Sequence, residues 1–250
     1  MRYSLTLKPL FVFFISILLF VQCEKEPSSN KIDSGFTNYI SGFTSGVISK
    51  RSTIKIRLTE PYSNAKINEQ IDDDLFDFTP SIDGNAYWLD SQTIEFKPTE
   101  NLPSGESFEA AFFLSKLISV PKKLKMLKFE FQIFKQDVDV DFLGMESLNS
   151  ENLKWQAIKG NVLTYDYAKS ENLENSFTAL QDGEVLNIKW IHNQDGKSHQ
   201  FVVDSVQRTE NRNQVILQWN GKQLGFNKED ENFNKYRFET LRYIKRIVKE

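Results

Sequence analysis

The segment Thr53-Ile54-Lys55-Ile56-Arg57-Leu58 sets Ile54, Ile56 and Leu58 on one face and two cations on the other. That two-residue period belongs to a half-buried strand. The pattern returns in short pieces along the chain. Leu75 to Thr79 is strand-like and is stopped by Pro80. Ala86 to Leu89 and Thr93 to Lys97 flank Asp90-Ser91-Gln92, a hairpin turn. Leu102-Pro103-Ser104-Gly105 breaks the chain, and the strand patterns Ser107 to Leu114 and Lys128 to Ile133 follow it, Phe129, Phe131 and Ile133 facing inward. A parallel α/β sheet needs crossover segments of about a dozen residues, and Phe36 to Lys135 contains no helical stretch of that kind. The alternation therefore predicts an all-β fold, with the many phenylalanines as its core.

About seven short strands with regular turn signals fit an Ig-like β-sandwich, placed at residues 36–136. The texture then changes to the acidic alternation Asp137-Val138-Asp139-Val140-Asp141-Phe142, which sets a boundary near Gln136. A second β-sandwich is expected over residues 137–227. Within it Trp155 to Tyr167 is β-rich, and Ser170 to Phe177 reads as one or two helical turns with Ser170 as cap and Glu171 in the first turn. Val185 to Ile191 reads as one strand. It is followed by a turn at Asn193 to Lys197 carrying Asp195-Gly196, and by a returning strand at His199 to Val206. Val215 to Trp219 precedes Asn220-Gly221, a second turn signal, so this module is expected to be a chain of hairpins. Residues 228–250 form a basic C-terminal segment in which Leu241, Ile244 and Val248 have helical spacing. It reads as a terminal helix or strand that packs weakly, or as a segment that lies on an anionic surface.

The N-terminus is a separate problem. Arg2 and Lys8 precede an apolar run from Leu10 to Val21, interrupted by Ser16. The run is shorter than the ~20 residues of a membrane-spanning helix and suits a signal peptide over residues 1–22. It stops at the single cysteine of the chain, Cys23. One cysteine permits neither an intramolecular disulfide nor a cysteine-based metal cluster. A hydrophobic run ending at a cysteine resembles the lipobox of bacterial lipoproteins, although Gln22 stands where Gly, Ala or Ser is usual. The resemblance implies that Cys23 is lipidated and becomes the mature N-terminus; the competing reading is an uncleaved signal anchor. Residues 23–35 are then the lipidated cysteine and a flexible tether, with Glu24-Lys25-Glu26-Pro27-Ser28-Ser29-Asn30 polar and extended. Acidic residues directly after the cysteine resemble the surface-export signal of Bacteroidetes lipoproteins. The implied location is the cell envelope, as an outer-membrane lipoprotein facing either the periplasm or the surface, with inner-leaflet retention as the competing outcome.

A longer run carries a second resemblance. Tyr39-Ile40-Ser41-Gly42-Phe43-Thr44-Ser45-Gly46-Val47-Ile48-Ser49 precedes the strand at Ile54 to Leu58. Phe76-Asp77-Phe78-Thr79-Pro80, Gly84-Asn85-Ala86-Tyr87-Trp88, Thr93 to Pro98 and Leu102-Pro103-Ser104-Gly105 follow. This string resembles the N-terminal region of Bacteroidetes-type alpha-2-macroglobulin lipoproteins, over Phe36 to Gln136 and more weakly from Asp137 to about Gly225. The resemblance implies two tandem Ig-like, macroglobulin-like β-sandwich domains after a lipoprotein signal peptide, a non-catalytic scaffold associated with protease inhibition. It implies as partners the membrane, through the lipid anchor, and proteases or other envelope proteins. Members of the family often carry a thioester built from a Cys and a Gln in one short segment. Cys23 is the only cysteine, so that chemistry is not expected here. The length to Glu250 fits either the truncated product of a longer gene or a short stand-alone relative.

Other chemistry finds little footing. A formal net charge of -3 and a pI near 5.6 give no basic footprint for nucleic acid. Asp72-Asp73-Asp74 lacks the glycine and distal glutamate of a calcium loop and reads as a solvated loop. Asp137, Asp139 and Asp141 share a strand face, the exposed one, with Val138, Val140 and Phe142 inside; calcium at a domain junction is the sharper alternative. His192 and His199 flank the Asp195 turn without zinc-site spacing, and read as surface residues beside a hairpin. Ser41, Ser45 and Ser49 have no His-Asp partners, and neither a nucleophile elbow nor a phosphate-binding glycine loop is present. Trp88, Trp155, Trp190 and Trp219 sit in strand patterns and are expected in cores. No enzyme, metal or cofactor is therefore expected. The alternative to the scaffold is a surface-exposed Ig-like lipoprotein that binds a glycan or protein ligand.

Overall fold

The structure, a computed structural model, describes residues 32–72, 74–150, 153–209, 214–226 and 233–239. Cys23, the signal peptide, the tether up to residue 31, Asp73 and the helical spacing at Leu241, Ile244 and Val248 lie outside the described residues. Among the described residues no helix is long and apolar enough to cross a membrane.

The chain is all-β, arranged as two sandwiches of two four-stranded sheets each. The first uses β1 (Ile40–Phe43), β2 (Gly46–Ile48), β3 (Ile54–Leu58), β4 (Phe76–Thr79), β5 (Gly84–Trp88), β6 (Thr93–Pro98), β7 (Ser107–Phe112) and β8 (Leu127–Ile133). The sheets run β1-β3-β6-β5 and β2-β8-β7-β4. All pairings are antiparallel except β2 with β8, which run parallel. The alternation of β3 and β8 is realised as drawn: burial along them switches residue by residue, with Ile54, Ile56, Phe129, Phe131 and Ile133 inside. The core between the sheets is a chain of phenylalanine rings. Phe76, Phe78, Phe96 and Phe112 meet at centroid distances of 4.8 to 5.8 Å, and Phe108 stacks on Phe131 at 5.3 Å. Tilted and offset contacts of this kind add to the burial of the rings.

The second sandwich uses β9 (Val138–Ser147), β10 (Trp155–Thr164), the short helix α1 (Ser170–Ser176), β11 (Phe177–Gln181), β12 (Glu184–Leu186), β13 (Ile188–His192), β14 (Ser198–Gln207), β15 (Gln214–Asn220) and β16 (Phe233–Glu239). Its sheets run β13-β14-β10-β9 and β12-β11-β15-β16. Its core is a separate cluster that includes Ile158, Val162, Leu173, Phe177, Phe201, Val203 and Leu217.

Four local expectations need correcting. The stretch Val185 to Ile191 is not one strand: it splits at Asn187 into β12 and β13, which belong to opposite sheets. The backbone changes sheet there and closes one side of the sandwich. Asn220-Gly221 is not a hairpin turn. Asn220 caps a single 3-10 turn at Gly221–Leu224, its side chain accepting a hydrogen bond from the Lys222 amide, and Gly225 ends that turn in the left-handed region. Ser170 does not cap α1; Lys169 holds that position without a side-chain cap, and Ser170 is the first helical residue. Phe142 is 41% exposed, because β9 is an edge strand and its register shifts where Phe142 meets Gly160. The basic segment contributes β16, paired with β15 along its whole length.

Gly160 is where β10 meets the core at closest range. A Cβ there would lie 2.3 Å from Phe201 Cζ and 2.5 Å from the Asp141 carbonyl, and neither a packed ring nor a strand backbone yields easily. Gly160→Ala is expected to lower stability by about 1–3 kcal/mol, read as a lower Tm. Gly42→Ala, whose Cβ comes no nearer than 4.0 Å to Arg57, is expected to leave the Tm unchanged.

Candidate functional site

The residues that bring chemistry together lie at the junction of the two sandwiches and around the β13–β14 hairpin. At the junction, Asp166 follows β10 with 1% of its surface exposed. Its Oδ1 accepts from Ser49 Oγ at 2.7 Å and from the Tyr167 amide at 2.7 Å. Its Oδ2 accepts from the Lys50 amide at 2.7 Å. Ser49 and Lys50 belong to the turn between β2 and β3, so one carboxylate ties the second sandwich to the first. Gln136, also 1% exposed, completes the joint. Its Oε1 accepts from the Asp166 amide at 2.8 Å, and its Nε2 donates to the Asp166 carbonyl at 3.0 Å. Its own amide donates to Ser104 Oγ at 2.7 Å. The Arg51 guanidinium lies 4.3 Å from the Tyr167 ring centre, a cation–π contact across the same joint.

Asp166 was not singled out by the sequence, but a signal was there. Counting by twos from Ile158 through Val162 and Thr164 reaches Asp166 and Ala168, all buried. A carboxylate at a core-facing position must find donors. Ser49, which offered no hydrolase triad, is one of those donors. Ser41 Oγ instead donates to the backbone carbonyl of Leu58 at 3.1 Å.

The second cluster overturns the reading of the histidines as surface residues. His192 and His199 are directly opposed on β13 and β14, and both point toward the interior. His199 is 1% exposed. The Nδ1 atoms of the two rings are 2.8 Å apart, and His192 Nε2 lies 2.8 Å from Glu174 Oε1 on α1. A carboxylate only accepts, so in the neutral form of His192 the ring proton sits on Nε2. Its Nδ1 then accepts from the His199 Nδ1–H, which leaves His199 Nε2 buried and without a partner. Trp190 stacks over His192 with a 9° interplanar angle. Strand phase would have told this: His192 shares parity with Ile188 and Trp190, and His199 with Phe201 and Val203.

The geometry does not converge on a metal. Glu174 meets one edge of the His192 ring and His199 meets the other. Asp195 turns its Oδ1 to the Lys197 and Ser198 amides, and these amides hold its carboxyl below its ordinary value. Among the described residues no group of three or more His, Cys, Asp or Glu side chains is arranged to hold a metal ion. At β9, Asp139 and Asp141 are exposed, Val138 is buried and Val140 is half-buried. Asp137 accepts from the Val138 amide at 2.8 Å. Asp72 and Asp74 are exposed.

The tryptophans divide. Trp88 and Trp219 are buried and Trp190 packs against the second core. Trp155, expected in a core, is 37% exposed at the base of the β9–β10 turn, beside Leu148 and Leu153 at 50% and 47%.

No family model matches the chain, and no curated protein matches it. Among solved structures, an L,D-transpeptidase from Mycobacterium tuberculosis H37Rv aligns at 13% identity with a TM-score of 0.28, over 62% of this chain and 60% of that one. The chain thus spans about 60% of that protein's length. L,D-transpeptidase 3 from Mycobacterium tuberculosis, bound to a faropenem-derived adduct, aligns at 13% identity with a TM-score of 0.28, over 69% of this chain and 77% of that one. The titin Ig tandem domains align at 10% identity with a TM-score of 0.25, over 79% and 94%. At these scores the likenesses carry no argument about chemistry.

Two outcomes follow from the site. Asp166→Ala strands three donors at the junction and is expected to cost about 3 kcal/mol; guanidinium unfolding should separate into two transitions. A single transition with unchanged midpoint would refute the coupling. For His199, burial first and the neighbouring His192 second push its pKa below the ordinary 6.5, against a smaller opposing pull from Asp195 and the Gly196 backbone. The unfolded chain therefore takes up this proton more readily than the folded one. Stability is full above about pH 6.5 and falls as the pH drops below it, levelling off below the folded-state value. His199→Phe should flatten the fall in Tm between about pH 7 and 5, a range above the carboxylate titrations. An unchanged slope would assign that fall to other groups.

Proposed function

We propose that the chain is a lipid-anchored, non-catalytic scaffold of the bacterial cell envelope, held at Cys23. On this reading it is the membrane-proximal portion of an alpha-2-macroglobulin-like protein associated with protease inhibition. The observation that carries the scaffold reading is the junction. Ser49, Lys50 and Gln136 surround one buried carboxylate, Asp166, and make the two sandwiches a single mechanical unit. A flexible pair of beads would leave the Asp166 position exposed and unpartnered. The chain enters the first sandwich at the pole away from this junction, where Asp33 pairs with Lys123 at 3.1 Å. The sequence string from Tyr39 to Gly105 supports the family reading, and the run ending at Cys23 supports the anchor.

A second reading, a surface lipoprotein that holds a glycan or protein, draws on Trp155. Trp155, Leu148 and Leu153 are all exposed, at the end of β10 remote from Asp166, and an open aromatic is a usual recognition element.

Fractionation of bacteria expressing the protein tests the anchor. The wild-type chain should pellet with membranes and carry acyl chains by intact mass, and Cys23→Ala should appear in the soluble fraction. Persistence of Cys23→Ala in membranes would sink the lipoprotein reading. Cells lacking the protein should lose envelope proteins faster to added protease if the inhibitor reading holds. Unchanged protease sensitivity would leave the ligand-binding reading in front.

A further inference from the structure

A cleft of about 300 Å³ opens beside the junction. Lys50 of the first sandwich and Lys169 of the second both line it. Among the described residues neither lysine side chain has an ion pair or a hydrogen bond. Asp166 attracts the Lys50 ammonium without pairing with it: its oxygens accept from Ser49, the Tyr167 amide and the Lys50 amide. Burial pushes the Lys50 ammonium below its ordinary value, and Asp166 only partly offsets that. A half-buried cation without a direct counter-charge is an unfavourable arrangement that an incoming anion relieves.

We propose that this cleft binds a small hydroxylated anion, a sugar-sized molecule bearing a phosphate or a carboxylate. Neutral recognition is assigned to Asn101, Asn172 and Gln223, which line the same space. Each offers donors and an acceptor to hydroxyl groups. Leu102 and Leu224 are buried beneath and give the apolar floor usual in small-molecule sites. No arginine lines the cleft, so the planar fork that selects carboxylates is missing; lysines act as point charges and accept either anionic head. The volume is at the lower end of the ligand-pocket range, which limits the occupant to about one sugar ring. The Asp166 joint fixes the Lys50 backbone, so the walls are set before a ligand arrives and little ordering is needed on binding. This assignment is independent of whether the chain is lipidated or inhibits proteases.

The test is isothermal titration calorimetry of the full chain in a non-ionic detergent with glucuronate, glucose 6-phosphate and neutral glucose. At least one anionic probe should bind with a Kd of about 1 mM or tighter, and glucose about tenfold more weakly or not at all. Glucuronate alone would identify a carboxylate head, glucose 6-phosphate alone a phosphate head. Lys50→Gln should weaken the anion by about tenfold. It keeps the backbone bond to Asp166, and its Tm should be no lower than that of the wild type. Lys169→Gln, a change at an exposed side chain, is the second variant and should weaken the same probe. Acetylation footprinting by mass spectrometry should show Lys50 and Lys169 protected by the anion and Lys55 and Lys97 unaffected. Glucose binding as tightly as the anions, unchanged affinity in both variants, or no heat and no protection with any probe would overturn the assignment.

Discussion

A single buried carboxylate decides how the two halves of this chain relate. Asp166 is in a place where a solvated alternative does not exist, so it must be fully hydrogen-bonded or destabilising. Its partners come from the β2–β3 turn of the first sandwich and from its own backbone neighbour. Gln136, in the connecting segment, takes both backbone groups of the same residue. The connection between the sandwiches is thus written in directional bonds instead of in a shared apolar core, and each sandwich keeps its own cluster of buried side chains. Directional bonds fix an angle where apolar contact alone permits sliding. That geometry sets Lys50 and Lys169 on one cleft.

The sandwich class was legible because the two-residue period is a direct image of which side chains face a core. β3, β8 and the hairpin of β5 and β6 could be drawn from Ile54, Phe129 and Asp90 alone. Departures arose where a pattern is compatible with two backbones. Val185 to Ile191 is β-rich and alternates from Leu186 to Trp190, yet the chain changes sheet at Asn187, and no side chain announces which partner a strand will choose. Asn-Gly is a hairpin signal, but Asn220 spends its side chain on capping a helical turn. The junction and the histidine pair lay within reach of the same alternation that gave the strands. Asp166, His192 and His199 all occupy inward-facing phases. The rule that polar residues face outward hides Asp166 and puts the two histidines on the surface, yet a polar residue in an inward phase is the more informative one.

The rims of the second sandwich explain why recognition concentrates at the junction. β9 is a long edge strand with an open hydrogen-bonding side, a template for pairing with another chain. It carries Asp139 and Asp141 on its exposed face and a register shift at Gly160, both of which discourage an added strand. On the outer face of the same sheet, ion pairs occupy the ground: Lys159 with Glu146 and Lys189 with Asp204. An exposed pair of this kind stabilises little, but the paired charges are already neutralised by each other. Lys50 differs because Asp166, which attracts its ammonium, spends its hydrogen bonds on Ser49, Tyr167 and the Lys50 backbone and makes no ion pair with it. The same bonds that hold the sandwiches together therefore leave the Lys50 cation only partly compensated, and a structural joint becomes the place where an anion has most to gain.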